Sequence, residues 1–420
     1  MSAKPPRVST KQEPARKLYV VMVGLPARGK STIATKLKEN LAHNSVRTRI
    51  FNNGELRRKM IHENTSFPDF FAPTNKEGAA LREKIAWTNM QAAKRFINKD
   101  GQVAILDATN VTSDRRARIR ALLNDHPILF IECINEDEDI LSASILRKID
   151  LHEFGHLTQE EAIQSFRQRI SYYEAMYAPL DKEGSFIRLD SLNNRILDEE
   201  LGNDIPYHDQ IRDFLVTDTV KNLYLIRHGE TYFNLENRIG GDSPLTPKGV
   251  EQARSLAAYF RTKRIPLIFT SKRMRTIQTA EPIKALQLES TIIPLKEFNE
   301  INSGICECLS YEEIRSSLPQ VYTERKKDKY NYVYPGGEGY VTMQERIHRG
   351  IKKALYLSNP SDYIMIIGHR AVNRMILSHF LFRRKEDVPY IYIPQDKFYY
   401  ISATQSKKCF QLKSFNWVPA

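Results

Sequence analysis

Cysteine is scarce. The chain has four in 420 residues, Cys133, Cys306, Cys308 and Cys409, unevenly spaced and with no C-x-x-C pair. That excludes a disulfide framework and argues for a reducing, cytoplasmic setting. Long apolar runs are missing too: none approaches the roughly 20 residues that cross a bilayer. The opening MSAKPPRVST has no apolar centre, so no secretory leader is expected. No internal repeat and no nucleic-acid motif is visible. The last absence matters, because the formal net charge is +13. With dispersed basic residues, the charge fits small, heavily phosphorylated ligands held by arginines better than a nucleic acid.

What is present is ordinary for globular protein. The chain is 41% hydrophobic and 27% charged, and its length suggests two or three domains with real cores. Residues 1–16 are Pro- and charge-rich and read as a disordered basic tail. Strands are expected at "KLYVVMV", 48–52, 103–106 and 128–133, and helices at 31–41, 78–97, 113–124, 137–148 and 158–176. The stretch 191–220 is polar and weakly patterned, and the junction falls near 216–221. A second alternation follows: strand "NLYLIR", helix 247–262, strand 266–270, helix 274–285 and strand 363–369. The fold class is α/β, with two doubly wound, mostly parallel domains.

Two short runs carry the chemistry. Gly24-x4-Gly29-Lys30-Ser31, between a strand and a helix, fits the phosphate-binding P-loop. Its glycines let backbone N–H groups turn inward, Lys30 reaches the β/γ-phosphates, and the Ser31 hydroxyl suits Mg²⁺. Asp107 ends a later strand, where it serves either a metal or the cap of the next helix. Arg57, Arg58, Arg82, Arg115, Arg116 and Arg169 are each ordinary surface candidates, but together they suggest an acceptor that is itself a phosphate ester. In the second half, "LIRHGETYFN" places Arg227, His228 and Glu230 at a strand end, and "IIGHRAV" places His369 at another. A neutral imidazole among arginines suits metal-free phosphoryl transfer, and zinc would not tolerate the cations. Arg275 adds a cation, and Glu300 is the best proton donor to the leaving oxygen.

"RHGE", "RTIQTAE" and the late "GH" resemble the histidine phosphatase, phosphoglycerate-mutase-like superfamily. With "GLPARGKS", "FNNGELRR", "DATN" and "YYEAMYAPLD", the chain resembles the bifunctional 6-phosphofructo-2-kinase/fructose-2,6-bisphosphatase family over about residues 17–400. The resemblance implies a P-loop NTPase-like kinase domain at 17–218 and a histidine phosphatase domain at 219–420. It implies ATP and Mg²⁺ in the first half and no metal in the second. ATP would meet Gly24, Leu25, Pro26, Ala27, Arg28, Gly29, Lys30, Ser31 and Thr32, with Ser31 and Asp107 at the Mg²⁺. Fructose 6-phosphate would meet Arg57, Arg58, Arg82, Thr109, Arg115, Arg169 and Tyr173. His228 would become phosphohistidine, with Glu300 as acid and with Arg227, Asn234, Gly240, Arg275 and His369 around the transferred phosphate. Tyr311, Arg325, Lys329, Tyr340 and Arg374 would hold the sugar and its 6-phosphate. The resemblance further implies a homodimer, and small molecules rather than nucleic acid or membrane as partners. Two departures stand out. Arg370 follows His369 where the family usually has Gln, and Lys148 stands about one residue off the register of a family lysine. Ser9 and Thr10 near Arg7 raise a phosphorylation switch.

Overall fold

Six consecutive buried residues, Leu18–Val23, make β1, as a strand covered on both faces requires. The computed structural model describes residues 16–415 except 62–64, 66, 150–153, 156, 203, 359–362, 382–383 and 405–406. The tail reading and the Ser9/Thr10 switch lie outside the described residues. The chain divides into two compact units, one ending at Thr217 and one beginning at Asp218.

In the first unit the elements run β1, α1 (Lys30–His43), β2 (Thr48–Asn52), α2 (Asn53–Met60), a 3-10 turn (Pro68–Phe71), α3 (Lys76–Lys99), β3 (Val103–Asp107), α4 (Ser113–Leu122), β4 (Ile128–Ile134), α5 (Glu138–Ile149), α6 (Gln159–Glu174), β5 (Phe186–Asp190), β6 (Arg195–Glu200) and α7 (His208–Val216). The sheet order is β2-β3-β1-β4-β5-β6, parallel except for β6. Helices cover both faces. Ile33, Leu37 and Leu41 of α1 pack with Ile211 and Leu215 of α7 on one side, and Ala86, Met90 and Ile97 of α3 with Ile119 of α4 on the other. The chain leaves β1 toward β2 and leaves its neighbour β3 toward β4, in opposite directions, so a crevice opens at the C-terminal ends of β1 and β3.

In the second unit they run β7 (Val220–Arg227), α8 (Tyr232–Leu235), α9 (Pro247–Phe260), β8 (Leu267–Thr270), α10 (Met274–Leu286), β9 (Thr291–Pro294), α11 (Tyr311–Ser317), α12 (Pro319–Lys327), α13 (Tyr340–Leu357), β10 (Ile364–Gly368), α14 (Arg370–Leu381), β11 (Lys397–Ala403) and β12 (Lys408–Ser414). The order is β12-β11-β7-β10-β8-β9, with β11 and β12 antiparallel. β7 and β10 are parallel neighbours in the register Arg227↔Gly368, which brings the loops after both strands together.

The stretch 191–220 corrects the reading made from sequence. It holds β6 and α7. β6 is an edge strand whose only half-covered residues are Ile196 and Glu199, so it lacks the apolar density of the inner strands. α7 carries its core residues as the short triplet Ile211, Phe214 and Leu215, too brief to stand out as a period. Each sheet also ends in antiparallel strands, which no parallel alternation foretells.

Two candidate phosphoryl-transfer sites

The loop from β1 to α1 is shaped by left-handed backbone. Gly24, Ala27 and Gly29 have φ of 134°, 61° and 87°. A Cβ on Gly24 would stand 2.5 Å from the Cys133 carbonyl oxygen, so the loop closes over the β4 end only with glycine there. Lys30 opens α1, is buried, and donates from Nζ to the Leu25 carbonyl at 2.6 Å. Burial pushes its pKa down to about 8, against the pull of Asp107. The buried Asp107 at the end of β3 accepts from Asn52 Nδ2, and the Thr109 carbonyl takes the Gly24 N–H at 2.9 Å. Arg28 donates to the Asn135 carbonyl. Lys148, on α5, feels the same carboxylate: burial is the first cause that lowers its pKa, with Asp107 raising it and Arg147, Arg169 and Arg58 adding to the fall. Lys30, Asp107 and Lys148 therefore share one electrostatic neighbourhood. Ser31 and Thr32 follow Lys30 in the first turn of α1, half-buried.

The acceptor arginines gather on a residue that sequence reasoning passed over. Phe71, buried at the end of the 3-10 turn, has the Arg169 guanidinium 3.9 Å from its ring centroid, Arg57 at 5.2 Å and Arg82 at 5.8 Å. The Tyr173 ring lies 6.2 Å away. Arg82 also donates to the Phe70 carbonyl. Its pKa falls, first from burial, then from Arg115 and Arg57, while Tyr173 and Glu83 oppose the fall. Arg115 is paired with Glu83. Arg116 is not part of this cluster and must be withdrawn from it. It is fully buried and held by both Glu183 oxygens, at 2.7 and 2.6 Å. Consecutive helix residues point about 100° apart, so Arg115 and Arg116 cannot share a ligand face. The only hint of Phe71 was "FPDFF", an aromatic cluster in a segment that otherwise reads as loop.

In the second unit a cavity of about 750 Å³ opens over the ends of β7 and β10. Arg227, His228, Asn234, Gly240, Arg275 and Glu300 line it, as do Tyr311, Arg325, Lys329, Tyr340, Arg370 and Arg374. His228 is buried, and its Nδ1 lies 2.8 Å from the Gly229 carbonyl. That carbonyl can only accept, so Nδ1 carries the hydrogen and Nε2 the lone pair. Burial, then Arg275 and Arg227, hold its pKa well below the usual range, so the ring is neutral at pH 7. Arg227 is itself pushed down to about 9 by burial and then by Arg370, with Glu300 opposing. Of these guanidinium groups Arg227 and Arg275 are buried, and Asp242 stands 3.5 Å from Arg275. Asn234 Oδ1 accepts from Gln395 Nε2 at 2.9 Å, which turns its amide N–H groups elsewhere. Arg374 donates to the Tyr340 hydroxyl at 3.0 Å, and Lys329 rests 4.6 Å from the Tyr390 ring centroid.

His369, expected around the transferred phosphate, is not among the residues that line the cavity. It is fully buried, its ring centroid 5.2 Å from that of His228. Arg275 Nε donates to its Nδ1 at 3.2 Å, and its Nε2 lies 2.8 Å from Ser271 Oγ. It thus fixes Arg275 while Ser271 fixes it, and Ser271 is a second residue that sequence reasoning missed. Glu230 of the "RHGE" run is committed to Thr246 Oγ1 at 3.1 Å and Lys248 Nζ at 2.9 Å. Glu307 joins the phosphate-side loops: it accepts from the Gly241 and Ser303 N–H groups, each at 2.6 Å.

A family model described as 6-phosphofructo-2-kinase matches residues 6–223, and one described as the histidine phosphatase superfamily (branch 1) matches residues 223–418. The chain is 36% identical over 388 residues to 6-phosphofructo-2-kinase/fructose-2,6-bisphosphatase 3 of Rattus norvegicus, spanning 89% of this chain and 68% of that protein. It is 36% identical over 390 residues to 6-phosphofructo-2-kinase/fructose-2,6-bisphosphatase 4 of Homo sapiens, spanning 89% and 80%. Among solved structures, a putative alpha-ribazole-5'-P phosphatase from Escherichia coli is 22% identical with a TM-score of 0.43, over 47% of this chain and 96% of that one.

Proposed function

Because the chain belongs to the bifunctional 6-phosphofructo-2-kinase/fructose-2,6-bisphosphatase family, we propose a division of labour among its residues for the two opposing reactions. The enzyme makes fructose 2,6-bisphosphate from ATP and fructose 6-phosphate and hydrolyses it back. We assign synthesis to residues 17–218 and hydrolysis to residues 219–420.

In the kinase half, the backbone of residues 24–32 cradles the ATP phosphates and Lys30 neutralises the β/γ oxygens. The donor set fits Mg²⁺: a buried carboxylate at Asp107 oriented by Asn52, and a hydroxyl at Ser31 in the first helical turn. Bound there, the ion supplies charge neutralisation across the phosphate oxygens. Arg57, Arg82, Arg169 and Tyr173 hold the 6-phosphate of the acceptor, with Arg58, Arg115 and Thr109 at its edge. Lys148 meets the transferred phosphoryl group. The acceptor 2-hydroxyl oxygen bonds to the γ-phosphorus as the bond to the β-phosphate oxygen breaks; ADP leaves with that electron pair, and the hydroxyl proton passes out to water.

In the phosphatase half, His228 Nε2 forms a bond to the C2 phosphorus as the ester P–O bond breaks. The electron pair goes to the sugar oxygen, which takes a proton from Glu300. Arg227, Arg275 and Arg370 disperse the charge on the phosphoryl oxygens, and His369 keeps Arg275 in place. Water then gives its proton to Glu300 and its oxygen to phosphorus, the N–P bond breaks, and inorganic phosphate leaves. Arg325, Lys329, Arg374, Tyr311 and Tyr340 hold the sugar and its 6-phosphate. The observation that carries this reading is the neutral, buried His228 imidazole on a cavity walled by guanidinium groups.

No helix among the described residues is long and apolar enough to cross a membrane. We read the enzyme as cytoplasmic from its few, unevenly spaced cysteines and as a homodimer from the resemblance, which sedimentation would check. The functional test is a time course of fructose 2,6-bisphosphate from ATP·Mg²⁺ and fructose 6-phosphate. The intact chain reaches a low plateau, His228→Ala keeps accumulating product, and Lys30→Ala makes none. Parallel curves for the intact chain and His228→Ala would sink the phosphatase assignment.

A further inference from the structure

Glu300 stands on irregular backbone between β9 and α11, where no ladder fixes it. A general acid misplaced by 1 Å loses much of its value, so something must hold that loop. Arg346 of α13 does so from behind. Its Nη1 donates to the carbonyls of Glu297 at 2.7 Å and Asn299 at 2.8 Å, and its Nη2 reaches the carbonyl of Glu300 itself at 3.4 Å. The other edge of the same guanidinium forks onto Glu338, with Nε and Nη2 each 2.7 Å from a carboxylate oxygen. Glu338 then takes the far side of the acid. Its carboxylate accepts the Asn302 N–H at 3.1 Å, and its own N–H donates to the Asn302 carbonyl at 2.7 Å. The grip therefore closes on residues 297–300 from one partner and on 302 from the other. The Glu300 side chain completes the arrangement by accepting the Ile301 N–H at 3.0 Å.

Neither Arg346 nor Glu338 is among the residues lining the cavity, whereas Glu300 is. The pair is largely shielded, with side chains 17% and 26% exposed. Burial raises the Glu338 pKa, but bonds from Arg346 and the Asn302 N–H more than offset it, so the carboxylate stays charged at neutral pH. A bidentate arginine–carboxylate fork has one geometry, unlike a lysine contact.

We propose that the Glu338–Arg346 pair is a positioning device that aims the Glu300 carboxyl at the leaving sugar oxygen. The proposal rests on reading Glu300 as the proton donor. The step it serves is the first one: P–O cleavage with transfer of the Glu300 proton to the departing oxygen, before water enters.

The test uses the full chain and two esters with different needs. Fructose 2,6-bisphosphate expels an alkoxide that must be protonated. p-Nitrophenyl phosphate expels a phenolate that leaves without a proton. kcat/KM is compared, because it runs through departure of the leaving group. For Arg346→Met, the sugar ester should lose about tenfold or more, part of the roughly 10²–10⁴ a positioned acid contributes. The aryl ester should stay within about threefold, and that retained activity also shows the pocket is folded. Arg346→Lys should fall between, and serves if the methionine variant does not fold. Glu300→Gln should give the same split, and adding Arg346→Met to it should cost little more, since both act on one proton transfer. An equal loss on both esters would make Arg346 a support for pocket shape and overturn the proposal. Full activity on both would overturn it as well. A Glu300→Gln variant with no split would instead remove the acid assignment, and the proposal would fall with it.

Discussion

At the scale of single residues, the two halves use burial in opposite ways. Lys30 keeps its charge under strain: burial brings its pKa down to about 8 in the free site. Above that pH the ammonium loses its proton and, with it, the hold on the β/γ-phosphates proposed for it. The kinase kcat/KM for ATP should therefore be flat below about pH 8 and fall up to tenfold per pH unit above it. A Lys30→Arg variant, whose cation does not titrate there, should lack that limb even at lower activity. A limb that survives in Lys30→Arg would show that another group titrates. His228 and His369 use burial to stay neutral. Both folded pKa values lie below the ordinary value, so below pH ~6.5 the unfolded chain binds protons that the folded one refuses. Stability is present above pH ~6.5 and is lost as pH falls, by up to ~1.4 kcal/mol per unit for each ring. Chemical unfolding of the phosphatase half at pH 7.5 and 5.5 would check the sign, and His369→Asn should remove part of the slope. The residues proposed to transfer phosphate were legible because that chemistry requires particular types beside strand ends. Ser271 and Glu307 were not, since a hydroxyl or a carboxylate that orients another side chain leaves no mark on sequence spacing.

Among elements, the inner strands and long amphipathic helices were readable from their periods, and the P-loop from its spacing. The 3-10 turn Pro68–Phe71 was not, although it gathers the arginines proposed to hold the acceptor. Its role comes from three arginines converging in space from α2, α3 and α6, which local sequence does not encode. Replacing Phe71 by Leu keeps an apolar filler and removes the aromatic face. The guanidinium groups then lose a contact worth about 0.5–1 kcal/mol each. KM for fructose 6-phosphate should rise several-fold, with KM for ATP nearly unchanged. Equal rises for both substrates would mean that the whole kinase half had loosened. Gly24→Ala makes the contrasting prediction at the next loop. With φ of 134° and 2.5 Å to a backbone oxygen, the new methyl must displace main chain. Synthesis should collapse while hydrolysis of supplied fructose 2,6-bisphosphate continues.

For the molecule as a whole, the boundary between the units is marked by chemistry as well as by chain direction. Asp218, the first residue of the second unit, is the anchor of that unit's start. Its carboxylate meets Lys352 Nζ of α13 at 2.7 Å and His379 Nε2 of α14 at 3.2 Å. These bonds hold its pKa down to about 2 despite burial. Its contribution is therefore complete above pH ~3.8 and is lost only as pH falls through about 2. At neutral pH, Asp218→Ala leaves a buried ammonium without this carboxylate, a change that typically costs about 3–5 kcal/mol. In a domain of this size that corresponds to a fall in Tm of roughly 6–20 °C. The polar stretch before it hid this anchor, because a lone Asp in "VTDTV" looks like any solvated loop residue. The same argument decides where the chain can be cut. A phosphatase fragment beginning at Thr217 keeps the carboxylate, and one beginning at Val220 does not. The longer fragment should melt several degrees higher and hydrolyse fructose 2,6-bisphosphate at the rate of the intact chain. If the two fragments melt together, the ion pair is not what secures the start of β7.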